Sequence, residues 1–561
     1  MEIDETDLRK GYYRSPFFIG SFMAIGLGLW AGTASFGYAA AILTFINTDL
    51  GPDKNFTWVS LIYNVTLSVC LGPMGRLSDI FGRRWFFIGG GIIGVVGSIV
   101  CATAKSVPVL IGGNVLLGVA SATQLCFHFA IGELVPMKYR YYGNSAIYVF
   151  SIAGSGFGPA ISMAFVAHYP NLGWRGVYWL LLAINGAALA CWALFYFPPT
   201  FHDKHKRDID SKMYWIKHFD YVGVFLYASG FIVFLLGLSW GGALYAWNSA
   251  AVISSLVIGF FILVLFVLWE IYAPLKEPLV PMHLFKSGRW VAAVILLGLG
   301  AGVYYAFSII WPAQVTVLYG DGDLMKIGFY SVIVGLPIIA GQIISGLVTT
   351  KIGKQKYQCM AAFVFGGTFL GAAASGTPDN KNTTMTLIAL GCFFIGWNES
   401  ICLTNTTILV KDQRDIGVAG GLAGSIRSGM CAVLTAIYVA VYSNRLTAEI
   451  ADQVPSAVLK AGLPQSSLTD YMTALGAGTA SAASAIPGLT SQVIAVGARA
   501  YKQASSDAYS TVYLSTIAFS VVGFILTFFA PNTEELMSGQ VAATLNNEGV
   551  KNESEVKHIE A

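Results

Sequence analysis

The 561-residue chain carries little charge for its length. Asp, Glu, Lys and Arg make up 11% of it, whereas a soluble domain has about 25%. Hydrophobic residues make up 55%, and the formal net charge is only +3. This composition argues against a soluble globular fold and against a nucleic-acid partner. It predicts a protein embedded in a lipid bilayer.

The chain also lacks the residue clusters that build catalytic, metal or disulfide sites. Its eight cysteines lie inside or beside apolar runs, which is typical of small core residues. No CxxC or His/Cys cluster predicts a metal site or a cofactor, and no nucleophile–base arrangement predicts an enzyme. The amino-terminal stretch MEIDETDLRKGYYRSP is too polar and acidic for a cleavable signal peptide. The first apolar run is therefore expected to act as an uncleaved signal.

Long apolar runs recur along the chain. Each is about 20 residues long, enough to cross a bilayer as an α-helix. We predict fourteen spans, at 17–46, 57–75, 84–104, 107–131, 143–168, 174–197, 221–241, 250–272, 290–315, 326–349, 357–376, 384–410, 416–442 and 509–530.

Lys and Arg are concentrated in alternate connections between these spans. The positive-inside rule places those connections in the cytoplasm, and an even number of spans then places both termini there. Two N-glycosylation sequons, at Asn55 and Asn382, fall on predicted outer connections. The long outer connection 443–508 is rich in Ala, Ser and Gly with short amphipathic stretches. It is predicted to be either a cap of short helices or a mobile surface insertion.

A faint internal repeat follows the second and tenth spans. GRLSDIFGRR and GLVTTKIGKQK each place two glycines seven residues apart next to basic residues. The second copy has Thr350 where the first has Asp79. Repeated halves are typical of transporter folds.

The first copy of this repeat resembles the loop motif G-x-x-x-D-x-x-G-R-[RK] of the major facilitator superfamily, through Gly75, Asp79, Gly82, Arg83 and Arg84. The glycines permit a tight turn and a close approach of helices. The carboxylate can bind a helix N-terminus, or an arginine across the two halves. The resemblance implies that this contact latches the outward-open state. The alternative is that the loop only orients the protein through its positive charge.

A second motif lies in the fifth span. Gly154, Gly158 and Pro159 resemble the G-x-x-x-G-P pattern of antiporters in that superfamily, although Ser162-Met163 stands where two glycines are usual. A helix-packing seam is the alternative, and both can hold together. Asn114 stands where drug antiporters often have an arginine, so coupling residues cannot be assigned from that position.

Ionisable side chains within the spans are the candidates for proton coupling, because a charge at mid-bilayer costs about 3 kcal/mol or more. Glu399 and Arg427 fall at nearly the same predicted depth and could pair, either to exchange a proton or as a permanent structural ion pair. His128 could relay protons or be a satisfied core residue. Glu133 is expected to be a gate or an orienting charge at the inner mouth, close to Arg140.

Aromatic rings and amides within the spans predict a site for a bulky, mostly apolar small molecule that carries oxygen. Some of them must instead be packing or interfacial residues. The candidates are Tyr63, Asn64, Tyr148, Tyr304, Tyr305, Trp311, Gln314, Tyr330, Gln342, Trp397 and Asn398.

Further stretches resemble the fourteen-span fungal facilitators: GWRGVYWL (174–181), FDYVG (219–223) and KEPLVPMHLF (276–285). IGWNES (395–400) and RDIGVAGGLAGSIRSGMCAVLTAIY (414–438) are similar to the fungal trichothecene efflux pump family. That family implies an all-α major facilitator fold, with two six-helix pseudo-repeat bundles and two extra central helices. The expected division is a cytoplasmic tail at 1–16, a first bundle at 17–197, an inner loop with two linker helices at 198–289, a second bundle at 290–530 and a cytoplasmic tail at 531–561.

The same resemblance implies proton-coupled export of a hydrophobic secondary metabolite, toxin or drug. The expected location is the plasma membrane, with a vacuolar or vesicle membrane as the alternative, and a monomer is expected. Two other functions are considered: proton symport of iron–siderophore complexes, and a membrane sensor without transport.

Overall fold

A computed structural model describes residues 3–4, 8, 11–51, 53, 56, 58–198, 212–242, 245–410, 415–476, 486–541 and 545 of the chain. Fourteen of its helices are long and apolar enough to cross a membrane, which confirms the predicted all-α membrane fold. We number them spans 1 to 14: Pro16–Ala41, Trp58–Phe81, Arg83–Ala102, Val107–Leu134, Met137–His168, Arg175–Phe195, Tyr221–Trp240, Ala250–Tyr272, Gly288–Leu318, Leu324–Ile352, Gln355–Ser375, Lys381–Ile408, Ile416–Lys460 and Ser491–Thr527.

Shorter elements lie between and beside the spans. The short α-helices are Leu43–Leu50, Lys212–His218, His283–Lys286 and Leu468–Gly476, and single 3₁₀ turns occupy Tyr12–Arg14, Gln465–Ser467 and Glu534–Leu536. Strand β1, Ile3–Asp4, pairs antiparallel with strand β2, Gln540–Val541.

Several of the helices begin where the sequence supplies capping groups. The side chain of Ser15 accepts from Phe18 N–H at the start of span 1, and Pro16 occupies the first helical position. Ser249 caps span 8 and Asp323 caps span 10 in the same way. These caps satisfy N–H groups that have no partner within a helix.

Two sets of six spans form the halves of the molecule. Spans 1 to 6 pack among themselves, spans 9 to 14 do the same, and the halves meet mainly where span 2 packs along span 13 and span 5 along span 10. Spans 7 and 8 pack against each other beside spans 2 and 13. Span 8 is mostly exposed, as expected for a helix that faces lipid.

Spans 4 and 5 are interrupted near the centre of the bundle. In span 4 the helix stops at Gln124 and restarts at Phe127. In span 5 a single π turn, Ile152–Gly156, precedes a helix that restarts at Gly158 with Pro159 in its first turn. A proline has no N–H to donate, and a π turn is a common way to accommodate such a break near a functional site.

The connection between spans 13 and 14 differs from the predicted cap of separate short helices. Span 13 continues as one helix to Lys460, and span 14 already begins at Ser491, well before the predicted start at 509. The two extensions and the helix Leu468–Gly476 enclose a small apolar core that includes Val454, Val458, Tyr471 and Val493. We call this unit, residues 443–476 and 486–508, the helical cap.

Strands β1 and β2, which lie near the beginning and the end of the described chain, meet at one end of the bundle. We call it the basic end; it carries the turn at Gly82 and the connection between spans 4 and 5. The carboxy-terminal segment crosses it: Thr533 donates to Asn405 of span 12 at 3.2 Å, and Ser538 accepts from the backbone of Lys138 at 3.2 Å. This segment therefore contacts both halves.

Candidate functional site

A cavity of about 70 Å³ lies between the two halves, near the middle of the spans. It is far smaller than the roughly 300–1,000 Å³ of ligand pockets, and it has room for a few water molecules only. The structure is therefore a contracted state. The residues that line the cavity are Leu29, Thr33, Leu71, Leu125, Phe127, His128, Tyr148, Ser151, Ser155, Tyr304, Tyr305, Ile338, Ile339, Gln342, Glu399, Leu403, Gly424 and Arg427.

Glu399 of span 12 and Arg427 of span 13 form an ion pair in the wall of this cavity. The Arg427 Nε lies 3.0 Å from Glu399 Oε1, and its Nη2 donates to the same oxygen. The other carboxylate oxygen accepts from Gln342 of span 10 at 3.0 Å. Glu399 is buried, and the Arg427 side chain keeps 18% of its surface exposed. The carboxylate is thus fully paired, while the cation retains a face toward the cavity.

His128 lies on the restarted segment of span 4 and faces the same cavity from the other half. Its Nε2 is 3.3 Å from the carbonyl oxygen of Gly420 in span 13, so the ring bridges the two halves. The break after Gln124 places His128 there, because the segment Phe127–Leu134 starts a new helix with its own face toward span 13.

Aromatic side chains form much of the cavity wall. Tyr148, Tyr304 and Tyr305 face it, and the Tyr148 hydroxyl is buried with no hydrogen-bond partner among the described residues. Phe36 packs on Tyr305 from the other half, with ring centroids 4.8 Å apart. An unsatisfied hydroxyl among aromatic rings is a suitable contact for an apolar ligand that carries oxygen.

Of the other predicted ligand-contact residues, Gln342 lines the cavity and the rest lie away from it in this state. The Tyr63 hydroxyl donates to Gly32 O at 2.6 Å, and Asn64 is buried beside it on span 2. The remaining candidates have partners within the second half, with Trp311 bonded to Tyr330 O, Gln314 to Tyr513, Tyr330 to Lys381, Trp397 to Gln358 and Asn398 to Leu296 O.

Spans 2 and 13 cross so closely at the basic end that Gly75 has no room for a side chain. A Cβ added there would lie 2.3 Å from the carbonyl oxygen of Gly417. One turn further on, Asp79 Oδ2 accepts from the backbone N–H of Val418 at 2.7 Å. Span 13 begins at Ile416, so the carboxylate satisfies an N–H of its first turn and faces the positive end of its dipole. We call this contact between the halves the Asp79 latch.

Arg83 is buried and joins two acids of its own half. Its Nη2 lies 2.9 Å from Asp79 Oδ1 and 2.6 Å from Glu133 Oε1. Asp79 thus binds an arginine of its own half, and it also reaches the backbone of the opposite half at Val418. Arg140, which the sequence placed beside Glu133, donates to Thr407 O of span 12 at 2.9 Å.

Arg84 and Gly82 serve the local turn. Arg84 donates to the backbone oxygens of Tyr196 and Ala193 at 3.0 and 2.9 Å, which completes the carbonyl end of span 6. Gly82 has φ 90°, a conformation that side chains other than glycine rarely adopt, and it allows span 3 to start immediately after span 2.

The glycines of span 5 allow a close approach to span 1 and, through the neighbouring turn, to span 10. A Cβ on Gly154 would lie 2.4 Å from Thr33 Oγ1. The Gly335 backbone of span 10 lies against Ser155 O, where a Cβ would come within 2.2 Å. Gly158 has only ordinary contacts, with Tyr38 3.4 Å away. Gly154 thus fits a packing seam directly.

Further contacts between the halves at the basic end were not anticipated from the sequence. Tyr141 donates to Asn405 at 2.6 Å, and Asn144 donates to Thr404 at 2.9 Å. Ser425 of span 13 accepts from Gly72 N–H at 2.9 Å, next to Pro73, which supplies no N–H of its own. Polar residues of spans 5 and 12 were the available signal, but nothing in the sequence indicated which of them would meet. Together with the Asp79 latch, these bonds close the basic end.

Of the two sequon asparagines, only Asn382 lies among the described residues. Asn382 is exposed in the first turn of span 12, at the end of the bundle away from the basic end. Asn55 lies outside the described residues.

Sequence comparisons connect this geometry to known transporters. The profile of the fungal trichothecene efflux pump family (TRI12) matches residues 2–553. The chain is 29% identical to the trichothecene efflux pump TRI12 of Fusarium sporotrichioides, over 93% of this chain and 87% of that protein. It is 28% identical to the protein of the same name from Trichoderma arundinaceum, over 96% and 90% of the two chains. It is 32% identical to the MFS-type transporter prx5 of Penicillium rubens, over 92% and 90%.

The fold also has a counterpart among solved structures. The human organic anion transporter MFSD10 (TETRAN) superposes with a TM-score of 0.54, at 13% identity, over 91% of this chain and 100% of that one. At this identity the likeness concerns the fold alone, which is that of the major facilitator superfamily.

Proposed function

Because this chain belongs to the fungal trichothecene efflux pump family, we propose that its efflux activity is driven by protons that enter through Glu399. The observation that carries the proposal is the buried Glu399–Arg427 ion pair in the wall of the cavity between the halves. Intramembrane ionisable residues that face a cavity are typical of proton pathways.

The pair is suited to exchange a proton for a ligand. Proton uptake by Glu399 removes the charge that neutralises Arg427 and leaves a buried cation without its partner, a costly state. The cation already keeps a face toward the cavity, so water can stabilise it there. A ligand hydroxyl can donate to Glu399 only while that carboxylate is ionised, so ligand and proton exclude each other at this group, which is the requirement for antiport.

Span 13 connects this pair to the Asp79 latch. Arg427 and Val418 lie nine residues apart on one helix, or about 14 Å at 1.5 Å per residue. A displacement of span 13 when the ion pair opens therefore acts directly on the contact that closes the basic end. His128 contacts the same helix at Gly420, between those two points.

The proposed substrate is a hydrophobic secondary metabolite of the trichothecene kind. Support comes from the aromatic wall formed by Tyr148, Tyr304 and Tyr305 and from the names of the relatives. A molecule of that size requires the cavity to expand beyond its present 70 Å³. The closed basic end indicates that this expansion involves the separation of the two halves.

We further propose that the protein works as a monomer in the plasma membrane, with its basic end in the cytoplasm. The positive-inside rule supports this orientation. The pairing of Ile3 with Val541, which holds both terminal segments at one end, is consistent with it. The exposed Asn382 then faces outward, where glycosylation takes place.

The test is transport by purified protein in liposomes that carry a pH gradient. Wild-type protein is expected to concentrate a labelled trichothecene against its gradient, and to stop when a protonophore is added. Glu399→Gln is expected to lose gradient-driven accumulation but to retain exchange of labelled for unlabelled ligand. Glu449→Gln, a matched change on span 13 outside the cavity, is expected to behave as wild type.

Two further results decide the interpretation. Since Glu399→Gln strands a buried cation at a cost of about 3–5 kcal/mol, the double variant Glu399→Gln/Arg427→Gln serves as a folded control that lacks both charges. Full gradient-driven transport by either variant would assign the pair to structure. Accumulation of a ferric siderophore in the opposite direction would favour the import function instead.

A further inference from the structure

Two acids meet at the basic end of the extra hairpin formed by spans 7 and 8. Asp220 immediately precedes span 7, and Glu270 lies in the last turn of span 8. Both are buried, with exposures of 3% and 6%. They lie outside the central cavity, and no step of the proposed transport cycle uses them.

Each carboxyl group has one satisfied and one unsatisfied oxygen. Asp220 Oδ1 accepts from Gly223 N–H at 2.8 Å and from the Trp269 indole at 2.9 Å. Glu270 Oε1 accepts from Val280 N–H at 3.3 Å. No N–H or O–H of the described residues donates to Asp220 Oδ2 or to Glu270 Oε2, although both atoms are buried.

The two carboxyl groups are neighbours, because a Cβ added at Gly223 would lie 1.9 Å from Asp220 Oδ2 and 3.1 Å from Glu270 Oε1. Two ionised carboxylates in such a place repel each other, and a buried oxygen without a donor is costly. One proton between the groups removes the repulsion and satisfies both of the remaining oxygens. From this arrangement we propose that Asp220 and Glu270 form a binding site for a single proton, separate from the transport pathway.

A metal ion fits this site less well than a proton. The other groups around the carboxyls are N–H donors, at Gly223, Trp269 and Val280, and these do not ligate cations. Among the described residues there is no group of three or more His, Cys, Asp or Glu that could hold a metal. Hard cations need about six oxygen ligands.

The other charged groups on the adjoining elements are either paired or exposed to solvent. Arg76 of span 2 pairs with Glu277 at 2.6 Å, and Lys276 contacts His218 at 3.4 Å near the surface. Lys217, on the helix before span 7, is exposed. A cation that neutralised a doubly ionised Asp220–Glu270 pair would have to leave one of these partners or the solvent.

The site joins the hairpin to the region of the Asp79 latch. Glu270 holds the backbone of Val280, in the linker that leads to span 9. Val280 belongs to the apolar cluster that also contains Ile80 of span 2 and Val418 of span 13. Proton binding therefore holds the two helices of the hairpin together beside this linker, and proton loss restores the repulsion between their carboxylates.

Infrared difference spectroscopy of the purified full-length protein tests the proposal. At pH 7 the wild type is expected to show the C=O stretch of a protonated carboxylic acid, which shifts in D₂O. Asp220→Asn and Glu270→Gln are each expected to lose that band. Glu399→Gln is the control and is expected to keep it, so failure here is distinguishable from failure of the proposed coupling route.

Glu270→Gln is the variant expected to fold normally. The amide of the new glutamine can donate to Asp220 Oδ2, so a permanent hydrogen bond replaces the proposed proton. Absence of the band in the wild type at pH 7 would overturn the proposal. So would its persistence in Glu270→Gln.

Discussion

Gly75→Ala is the sharpest test of how the halves close at the basic end. The new Cβ would lie 2.3 Å from the Gly417 carbonyl oxygen and 3.0 Å from the Gly421 Cα, both backbone atoms that cannot rotate away. Overpacking of this kind costs about 1–3 kcal/mol. Gly75 and Gly417 belong to opposite halves, so the cost falls on the closed basic end and disappears when it opens. The variant is therefore expected to shift the population toward the open basic end by about 5–150-fold.

Distances between two spin labels across the basic end measure this shift. Suitable positions are Tyr139 and Tyr357, exposed residues of the first and second half, in a variant without the half-buried Cys70 and Cys191. Wild-type protein should give mainly a short distance, and Gly75→Ala a longer one.

The matched control is Gly89→Ala in span 3, because a Cβ at Gly89 meets nothing within 4 Å. It should give the wild-type distribution. An unchanged distribution in Gly75→Ala would refute the reasoning that this crossing limits closure, as would an equal shift in the control.

Three further outcomes are expected. Asp79→Asn weakens the cap on span 13 by about 1 kcal/mol. Steady-state transport should show turnover slowed severalfold, and equilibrium binding should show little change in ligand affinity. Unchanged turnover would remove the latch role. Tyr148→Phe should weaken ligand binding by up to about tenfold through loss of a hydroxyl contact of about 1 kcal/mol, whereas Trp311→Phe, a ring outside the cavity, should not, and equal effects would contradict the cavity assignment. Hydrogen bonds from Trp174 and from the Arg175 guanidinium lower the pKa of Asp49 below its ordinary value of 3.8. The stability that ionised Asp49 contributes is therefore present at neutral pH and is lost as pH falls through the lowered pKa. The difference in Tm between wild type and Asp49→Asn should be constant from about pH 7 to 5 and shrink below about pH 4.

The sequence predicts the membrane fold well because span length and hydropathy report the same physical requirement. A helix in lipid must be apolar for about 20 residues, so fourteen runs give fourteen spans. Hydropathy marks where the bilayer ends and not where the helix ends. The continuation of span 13 from 442 to Lys460 was missed for that reason, since its apolar residues Val454 and Val458 pack in the helical cap and not in lipid.

The candidate site was predictable where burial of charge is costly. Glu399 and Arg427 stand out within apolar runs, and the structure brings them into contact. A helix N-terminus was one predicted partner of Asp79, and the structure shows such a contact at the backbone N–H of Val418. Which helix would supply it was not predictable, because every residue except proline possesses this group. The sequence did not show which aromatic candidates line the cavity and which, like Trp311, pack in the core, because rings fill the cores of both halves as well as the cavity wall.

The short pairing of Ile3–Asp4 with Gln540–Val541 brings the two terminal segments of the chain into backbone contact. The first and last strands of the described chain are therefore adjacent in space. A peptide linker could join the ends, and a new opening could be cut in the 199–211 connection between the halves. Such a circular permutant would keep every contact within each half while exchanging their order of synthesis. If it transports, the second half can be inserted into the membrane before the first.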